Sequence, residues 1–442
     1  MTDRALPNII YMHAHDAGRY VQPYGHPVET PNLMKFAKQG VLFRKAFCMA
    51  PTCGPSRAGM LCGQYPHEVN MYGLPHEGWA LGEHLEKHWV RKLNGWGYET
   101  ALAGVQHEVV SKDHESIGYQ KYLSERDYPG EFYQETIDHV ERYLAHPPKD
   151  KPFFISIGID EPHRDNLERP EVGLYGGGDR FSKTRYYDPD KLDSRYTAPP
   201  PWLPDLPEIR KDMEAYRVGV RLMDEYMGRV LYALEQHALE EDTLVIITAD
   251  HGIEFPGGKM GLSDQGTEVM LMIRGCGFEG GQVIEPVVSH VDLYPTLLDV
   301  LGKQVDHELR GKSLLPLAKG ETDKVRDYVF AEQTYHGKGG FEPLRSVRGE
   351  RYKLVRRHFP EGPRLRQDGP SNKVMEQVGF YDRHLAREEL FDLYIDPWEA
   401  CNRIDDPALQ GVRKELGEAL DQWMEETGDP FPTGNFPKQP AF

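Results

Sequence analysis

Short apolar runs rich in β-branched residues alternate along the chain with stretches of helical periodicity. Four of these runs lead directly into polar residues, and they occupy residues 7–13, 98–104, 152–159 and 244–248. Continuous apolar runs of this length are typical of parallel strands that are buried on both faces of a sheet. The carboxyl ends of such strands lie along one edge, where open α/β sheets bind ligands. The pattern therefore predicts that the polar residues after the four strands converge on one site.

Helical periodicity fills much of the sequence between the strands. Residues 30–40 carry a threonine cap, a proline in the first turn and a terminal glycine, which predict a helix. Residues 212–237 place apolar side chains at three- and four-residue spacing and predict a long helix packed on the core. Residues 81–93 predict one further amphipathic helix.

The pattern changes to short strands from about residue 327, and residues 411–427 predict a terminal amphipathic helix. We therefore predict an α/β fold in two parts. Residues 1–326 form a catalytic domain with a large, mostly parallel sheet flanked by helices. Residues 327–442 form a smaller α+β domain that carries a short antiparallel sheet.

The charge balance limits the partners of the protein. The 442 residues include 70 acidic and 52 basic side chains, for a net charge of −18. Nucleic acid is excluded as the main partner, because phosphate backbones require a basic surface. An anionic small molecule would have to be attracted by a few local cations and a metal. The five cysteines are odd in number and lack framework spacing, so no disulfide scaffold is expected.

The sequence also bears on location. No run of about 18 apolar residues appears, so we expect no membrane-spanning helix and no membrane partner. The first residues lead directly into the first strand without the apolar core of a signal peptide. We expect a cytoplasmic protein, or a periplasmic or secreted one if a signal peptide has been removed.

The richest candidate chemistry lies in residues 50–63. Cys53 precedes Gly54, Pro55 and Arg57, and the chain then becomes apolar, which predicts a loop-to-helix junction. A helix starting near Ser56 would favour an anion beside Cys53, and Arg57 would add a fixed charge. These residues alone leave two interpretations open, a reactive cysteine in an anion site and a buried structural cysteine.

This segment resembles the signature of the type I sulfatases, members of the alkaline phosphatase superfamily. Cys53, Pro55 and Arg57 supply the Cys-x-Pro-x-Arg pattern, and Leu61 and Gly63 follow as in the family. The resemblance implies that Cys53 is oxidised to formylglycine, whose hydrated aldehyde is the nucleophile. It also implies a transient partner, the formylglycine-generating enzyme, and a role for Arg57 in hydrogen-bonding the geminal diol and fixing the turn.

The same resemblance implies a divalent metal. Asp16 matches one family ligand after the first strand, and His15 stands where the family has a second aspartate. Asp250 and His251 match the second pair of ligands, and the modified Cys53 supplies one more oxygen. Calcium is the usual metal of the family, while two histidines leave manganese or zinc as alternatives. His15 could instead hydrogen-bond one of the ligands.

Three further residues match positions of the family's site, two that contact the sulfate group and one that assists the reaction. His107 follows the second predicted strand and is the candidate base, since imidazole titrates near neutral pH. His163 and Lys259 would bind non-reacting sulfate oxygens, and His163 or a water would protonate the leaving group. The family lysine two residues before His107 is replaced by Val105.

The segment around His163 and Arg164 is most similar to the sulfamidases, the heparan N-sulfatases. We therefore predict a sulfatase that hydrolyses a sulfate ester or N-sulfate, with a sulfated carbohydrate as its substrate. Two alternatives remain. Val105 and the Asp-His pair also fit a phosphonate monoester hydrolase or phosphodiesterase of the same superfamily. In a non-catalytic carbohydrate-binding relative, Cys53 would remain a thiol. A homo-oligomer is left open.

Overall fold

The computed structural model describes residues 6–124, 133–164, 181, 193–337, 340–382, 384–434 and 436–440. The strands within this part of the chain are β1 (Asn8–Ala14), β2 (Val41–Phe47), β3 (Glu99–Gly104), β4 (Lys121–Tyr122), β5 (Phe153–Ile159), β6 (Thr243–Ala249), β7 (Glu268–Val269), β8 (Leu271–Arg274), β9 (Gln282–Ser289), β10 (Val329–Tyr335), β11 (Phe341–Arg348), β12 (Tyr352–Arg357) and β13 (Glu388–Asp392). The helices are α1 (Pro31–Ala37), α2 (Cys53–Cys62), α3 (Trp89–Gly95), α4 (Tyr133–Ala145), α5 (Pro207–Gln236), α6 (Asp264–Thr267), α7 (Leu293–Val300), α8 (Leu315–Ala318), α9 (Pro370–Gln377) and α10 (Gln410–Glu426).

The large sheet has the strand order β4-β3-β5-β1-β6-β8-β2-β7, with β9 paired to β2. Its centre, β3-β5-β1-β6, is parallel throughout, whereas β8 runs antiparallel to both β6 and β2. Every residue of β3, β5 and β6 is buried, which explains their continuous apolar sequences. The predicted mostly parallel α/β sheet is confirmed, and the four strands predicted to end at one site are neighbours.

The second sheet is antiparallel, in the order β10-β11-β12-β13. Its buried residues Val347, Leu354 and Leu390 belong to the same apolar cluster as the strands of the large sheet. Helix α10 packs on β11 and β12 through Leu416 and Leu420, which are also buried in that cluster. The predicted short antiparallel sheet is confirmed, while the division between residues 1–326 and 327–442 stays a prediction.

Two helix predictions have different outcomes. The long helix is confirmed as α5, which begins at Pro207, earlier than predicted, because proline suits a first turn. The single helix over residues 81–93 is wrong. Its first half is a 3₁₀ segment, Gly82–Lys87, and His88 is extended, with its ring accepting a 3.2 Å hydrogen bond from the N–H of Val90. None of the described helices is both long and apolar enough to cross a bilayer.

Candidate active site

The two predicted aspartates face each other at the ends of β1 and β6. Asp16 follows β1 with a φ of 54°, in the left-handed region that aspartate tolerates better than most residues. Its N–H donates a 2.9 Å hydrogen bond to Oδ1 of Asp250. The N–H of Asp250 in turn donates to the carbonyl of Ala14 at 3.0 Å. The backbone of the two strands thus fixes both carboxylates side by side.

Cys53 is the first residue of helix α2, so the prediction of a helix start near Ser56 is wrong by one turn. The first-turn N–H groups of a helix have no partner within it, and Pro55, which lacks an N–H, therefore fits inside the first turn. Ser56 closes that turn with a 2.9 Å hydrogen bond to the carbonyl of Thr52. Cys53 is only 2% exposed and lies at the positive end of the helix.

A cluster of metal-ligating atoms surrounds the Cys53 thiol. Single ligand atoms of Asp16, Cys53, Asp250 and His251 all lie within 4.8 Å of one another. Sγ of Cys53 is 3.2 Å from Nε2 of His251, and that nitrogen is 3.1 Å from Oδ1 of Asp16. Four of the five predicted metal ligands therefore come together from three separate segments of the chain.

His15 is the fifth predicted ligand and joins an overlapping cluster with Asp16, Cys53 and His163. Its Nε2 is shielded from solvent and makes no hydrogen bond to the described residues, while its Nδ1 lies 3.3 Å from Oδ2 of Asp250. Buried polar atoms without a partner cost free energy, and a bound cation would remove that cost. Carboxylate oxygens and imidazole nitrogens are suitable donors for a divalent metal, so the residues present fit one.

Two buried cations balance the carboxylates. Nζ of Lys259 donates to Oδ2 of Asp16 at 2.8 Å, and Nη2 of Arg57 donates to Oδ2 of Asp250 at 3.0 Å. Burial alone would raise the pKa of Asp16, but the charge of Lys259 brings it well below its usual range. Arg57 also contacts the ring of His13. The described contacts of Arg57 thus hold the ligand Asp250, whereas the sequence predicted a contact with residue 53.

The candidate base His107 and the candidate sulfate ligand His163 flank His15. The His15 ring centroid lies 5.1 Å from that of His107 and 4.9 Å from that of His163, both edge to face. Burial lowers the pKa of His163 to about 3, and burial with the charges of His15 and Arg57 brings the pKa of His107 well below its usual value. Both rings are therefore neutral at physiological pH, and their pKa values lie below the near-neutral value on which the prediction for His107 was based.

Position 105 provides no cation. Val105 is fully buried, and its N–H donates a 3.0 Å hydrogen bond to the carbonyl of Gly158. A Cβ on Gly158 would lie 2.0 Å from the carbonyl oxygen of Val105, so only glycine permits this approach. The lysine typical of the family is thus replaced by a packed apolar side chain.

The chemical state of residue 53 follows from its burial. Burial raises the pKa of the Cys53 thiol well above its usual value, although Lys259 opposes the shift. A thiol in this position is protonated, and the protonated form is not the reactive form of cysteine. The described surroundings therefore do not activate the thiol of Cys53 as a nucleophile.

Several side chains around the site were not predicted from the sequence. Oε2 of Glu254 lies 3.5 Å from Nζ of Lys259, and burial raises the Glu254 pKa to about 8. From the second part of the chain, Nε2 of Gln367 donates to the Lys259 carbonyl at 2.5 Å. Oε1 of Gln333 accepts a 2.8 Å hydrogen bond from Thr52, next to Cys53. None of these three belongs to a recognisable motif. Each contacts the site through the tertiary fold, which local sequence spacing does not show.

Arg164 forms a fork with a buried partner behind the site. Its two terminal nitrogens donate to the two oxygens of Asp212 at 2.9 and 2.8 Å. The guanidinium also stacks 3.5 Å from the ring centre of Phe181. Arg164 follows His163 directly, so this fork holds the backbone that carries His163.

Comparisons with known proteins find family matches and relatives along most of the chain. Residues 7–303 match the sulfatase family, and residues 261–362 match the N-sulphoglucosamine sulphohydrolase C-terminal family. The chain is 30% identical to human N-sulphoglucosamine sulphohydrolase over 97% of this chain and 92% of that protein. It is 26% identical to an ulvan-active sulfatase of Formosa agariphila, over 96% of this chain and 75% of that protein.

Solved structures agree on the fold. A protein solved in complex with its substrate, D-glucosamine-2-N, 6-O-disulfate, superposes with a TM-score of 0.72 at 19% identity, over 96% of this chain and 99% of that one. The matched family covers most of the chain, including every predicted site residue. The protein is therefore a member of the sulfatase family, with an alkaline phosphatase-like fold.

Proposed function

We propose that this protein hydrolyses the sulfate ester or N-sulfate of a sulfated carbohydrate, with formylglycine at residue 53 as the nucleophile. The observation that carries the proposal is the cluster of Asp16, Cys53, Asp250 and His251 within 4.8 Å at the start of α2. Relatives that act on sulfated sugars support the substrate class, above all the human enzyme for N-sulphoglucosamine. An amino sugar that carries an N-sulfate is the first substrate to test.

Asp16, Asp250, His251 and the oxygen of residue 53 would hold the metal, with His15 as a further donor. When bound, a divalent cation polarises the nucleophilic oxygen and neutralises charge on the sulfate. We propose calcium, the usual metal of the family, while the imidazole nitrogens keep manganese and zinc as rivals. Metal analysis of the purified protein by mass spectrometry distinguishes the three.

The surrounding side chains have separate tasks in this proposal. Lys259 is 3% exposed, and the adjacent Asp16 keeps its pKa above the usual value despite burial, so it presents a fixed positive charge to the sulfate. Nδ1 of His163 lies 2.6 Å from the carbonyl of Arg164, which assigns the ring proton to Nδ1 and leaves Nε2 facing the site. A sulfate oxygen is itself an acceptor, so Nε2 would donate to it only in the doubly protonated ring, a state that the charge of the bound anion favours.

His107 is proposed as the base of the reaction. A neutral imidazole has one unprotonated nitrogen that can accept a proton from a hydroxyl of the hydrated residue 53, although burial lowers the His107 pKa and so weakens the ring as a base. Loss of that proton lets the oxygen form the aldehyde double bond while the bond to the departing sulfate breaks. Arg57 holds Asp250 and the first turn of α2 in place during these steps.

A phosphonate or phosphodiester hydrolase remains a second candidate, and Val105 is the observation that favours it. Without the family lysine, less positive charge faces the transferred group. The site therefore does not by itself select a sulfuryl group over a phosphoryl group. Cytoplasmic location, contact with the formylglycine-generating enzyme and a homo-oligomer also remain proposals.

The test is to produce the protein together with the formylglycine-generating enzyme and measure the mass of the peptide that contains residue 53. We expect the mass of the aldehyde form. The converted protein should hydrolyse an aryl sulfate and glucosamine N-sulfate faster than an aryl phosphonate, and Cys53→Ala should abolish turnover. Faster cleavage of the phosphonate would select the second candidate. An unmodified thiol with sulfated-sugar binding and no turnover would indicate a binding protein.

A further inference from the structure

Glu254 and Lys259 lie on one short loop between β6 and α6, and hydrogen bonds within the backbone close this loop. The N–H of Lys259 donates to the carbonyl of Ile253 at 2.9 Å, and the N–H of Gly258 donates to the carbonyl of Phe255 at 2.7 Å. A Cβ at Gly258 would lie 2.2 Å from the carbonyl oxygen of Ile253, so the loop requires glycine there. The backbone therefore holds Glu254 and Lys259 in a fixed relation to each other.

The two carboxylate oxygens of Glu254 face two different cations, and all three side chains are buried. Oε2 lies 3.5 Å from Nζ of Lys259, and Oε1 lies 3.9 Å from Nε of Arg164. Nη2 of Arg164 also donates a 3.3 Å hydrogen bond to the Glu254 carbonyl. Because the fork to Asp212 fixes the guanidinium, Arg164 holds Glu254 from one side while Oε2 contacts Lys259 on the other.

Lys259 is the residue whose orientation this contact controls. Its Nζ donates to Oδ2 of Asp16 at 2.8 Å, so the ammonium group lies between two carboxylates. An ammonium group has three N–H donors, and the contacts with Asp16 and Glu254 leave one N–H for a further acceptor. The three N–H bonds are arranged tetrahedrally, so two acceptors in fixed positions determine where the third one points.

We propose that Glu254 is a positioning residue, which orients the ammonium group of Lys259 so that its remaining N–H faces the sulfate. This inference rests on the proposed function, because it names the residue that orients the sulfate-binding lysine. The role does not depend on the charge of Glu254, since a carboxyl group keeps an acceptor oxygen whether or not it carries a proton. Without Glu254, Asp16 alone would hold the ammonium group, which could then turn away from the sulfate.

The experiment measures the binding of inorganic sulfate to the converted full-length protein by calorimetry, so it does not depend on turnover. Glu254→Met removes the acceptor but keeps a long side chain, and we expect the dissociation constant of sulfate to rise roughly three- to tenfold, the cost of one hydrogen-bonded contact. Glu254→Gln keeps an acceptor oxygen and should stay within about twofold of wild type. Glu225→Met, the matched control, makes the same substitution at an exposed position of α5 and should leave the constant unchanged.

A double-mutant cycle with Lys259→Met separates this role from a structural one. If Glu254 acts through Lys259, Glu254→Met should change sulfate binding by less than about twofold once Lys259 is already methionine. An equal loss in both backgrounds would show a structural role and overturn the inference. Equal losses in Glu254→Met and Glu254→Gln would overturn it as well, because the glutamine variant keeps the acceptor. Unchanged or tighter sulfate binding in Glu254→Met would mean that Glu254 does not orient Lys259 toward the anion.

The turnover of sulfated substrates by the wild-type protein tests the proposed function separately. A protein that binds sulfate but cleaves no sulfate ester or N-sulfate would contradict the proposed function, while the binding cycle would still show whether Glu254 acts through Lys259. A protein that cleaves these substrates without coupling between Glu254 and Lys259 would keep the proposed function and overturn the inference. A wild-type protein that binds no sulfate would overturn the inference directly.

Discussion

Protonation of His67 should control how firmly the second part of the chain is held to the segment after α2. His67 is buried, and its N–H donates to Oε1 of Glu332 at 2.8 Å while its ring Nδ1 contacts the other carboxylate oxygen. The opposite ring nitrogen, Nε2, lies 3.3 Å from the carbonyl of Thr427. Both nitrogens face acceptors, and only the doubly protonated ring donates to both.

The electrostatics agree with this assignment. Burial alone would lower the pKa of His67, but the adjacent Glu332 carboxylate raises it above the usual value. Ligand atoms of His67, Glu332 and Asp429 also lie within 4.8 Å of one another. Asp429 is already paired with the buried Arg345, however, so the cluster forms a network of ion pairs rather than a metal site.

The magnitude follows from these contacts. A hydrogen bond to a charged group contributes about 1.5–3 kcal/mol to folding. Because the native pKa of His67 is raised, this stabilisation is complete below the unfolded pKa of about 6.5 and is lost as pH rises through the native pKa. Replacing His67 by glutamine removes the charge, and we expect a loss of roughly 3 kcal/mol at pH 6, since a buried ion pair is broken.

The assay is urea unfolding of wild type and His67→Gln at several pH values between 6 and 9. The difference in free energy of unfolding should be largest at pH 6 and shrink as pH rises. His26→Gln is the control, because burial lowers the His26 pKa to about 4 and its ring is neutral throughout this range. A His67→Gln difference that is constant with pH, or that grows toward pH 9, would refute a charged His67.

Three further outcomes are expected. Lys259→Met should raise the inhibition constant of inorganic sulfate about ten- to a hundredfold, because one charge-assisted hydrogen bond is lost. An unchanged constant would mean that the sulfate does not bind at Lys259. Arg164→Lys keeps the charge but breaks the fork to Asp212, so the free energy of unfolding should fall by about 1–3 kcal/mol in urea titrations; equal stability would mean that the fork is dispensable. Chelation should abolish turnover and lower the thermal midpoint of unfolding, since a ligand at 100 times its Kd stabilises the folded protein by about 2.7 kcal/mol. The metal that restores both at the lowest concentration identifies the ion. No change in the midpoint would argue against a metal at Asp16.

The sequence predicted the large sheet and the convergence of its strand ends because both follow from local pattern. Parallel strands buried on two faces need continuous apolar runs, and their polar ends must meet at one edge. Asp16, Asp250 and His251 could be placed for that reason. The start of α2 was misplaced because a Gly-Pro pair suggests a turn, whereas the first turn of a helix accepts proline equally well.

Contacts from the second sheet could not be predicted in the same way. Gln333 reaches Thr52, next to Cys53, only because β10 is fixed against residues far away in sequence. Periodicity assigns His88 to a helix because its apolar neighbours keep helical spacing on both sides. Its side chain instead caps the helix that follows. The spacing of apolar residues does not show that a side chain accepts a backbone hydrogen bond in this way.

The burial of Cys53 determines an order of events in biosynthesis. Cys53 has only 2% of its surface exposed, and Ser56 and Arg57 are buried as well. In the folded protein a second enzyme could therefore not bind this motif. Under the proposed conversion, the aldehyde must be installed while this stretch is still unfolded. A molecule that folds before conversion would keep an unmodified cysteine at position 53.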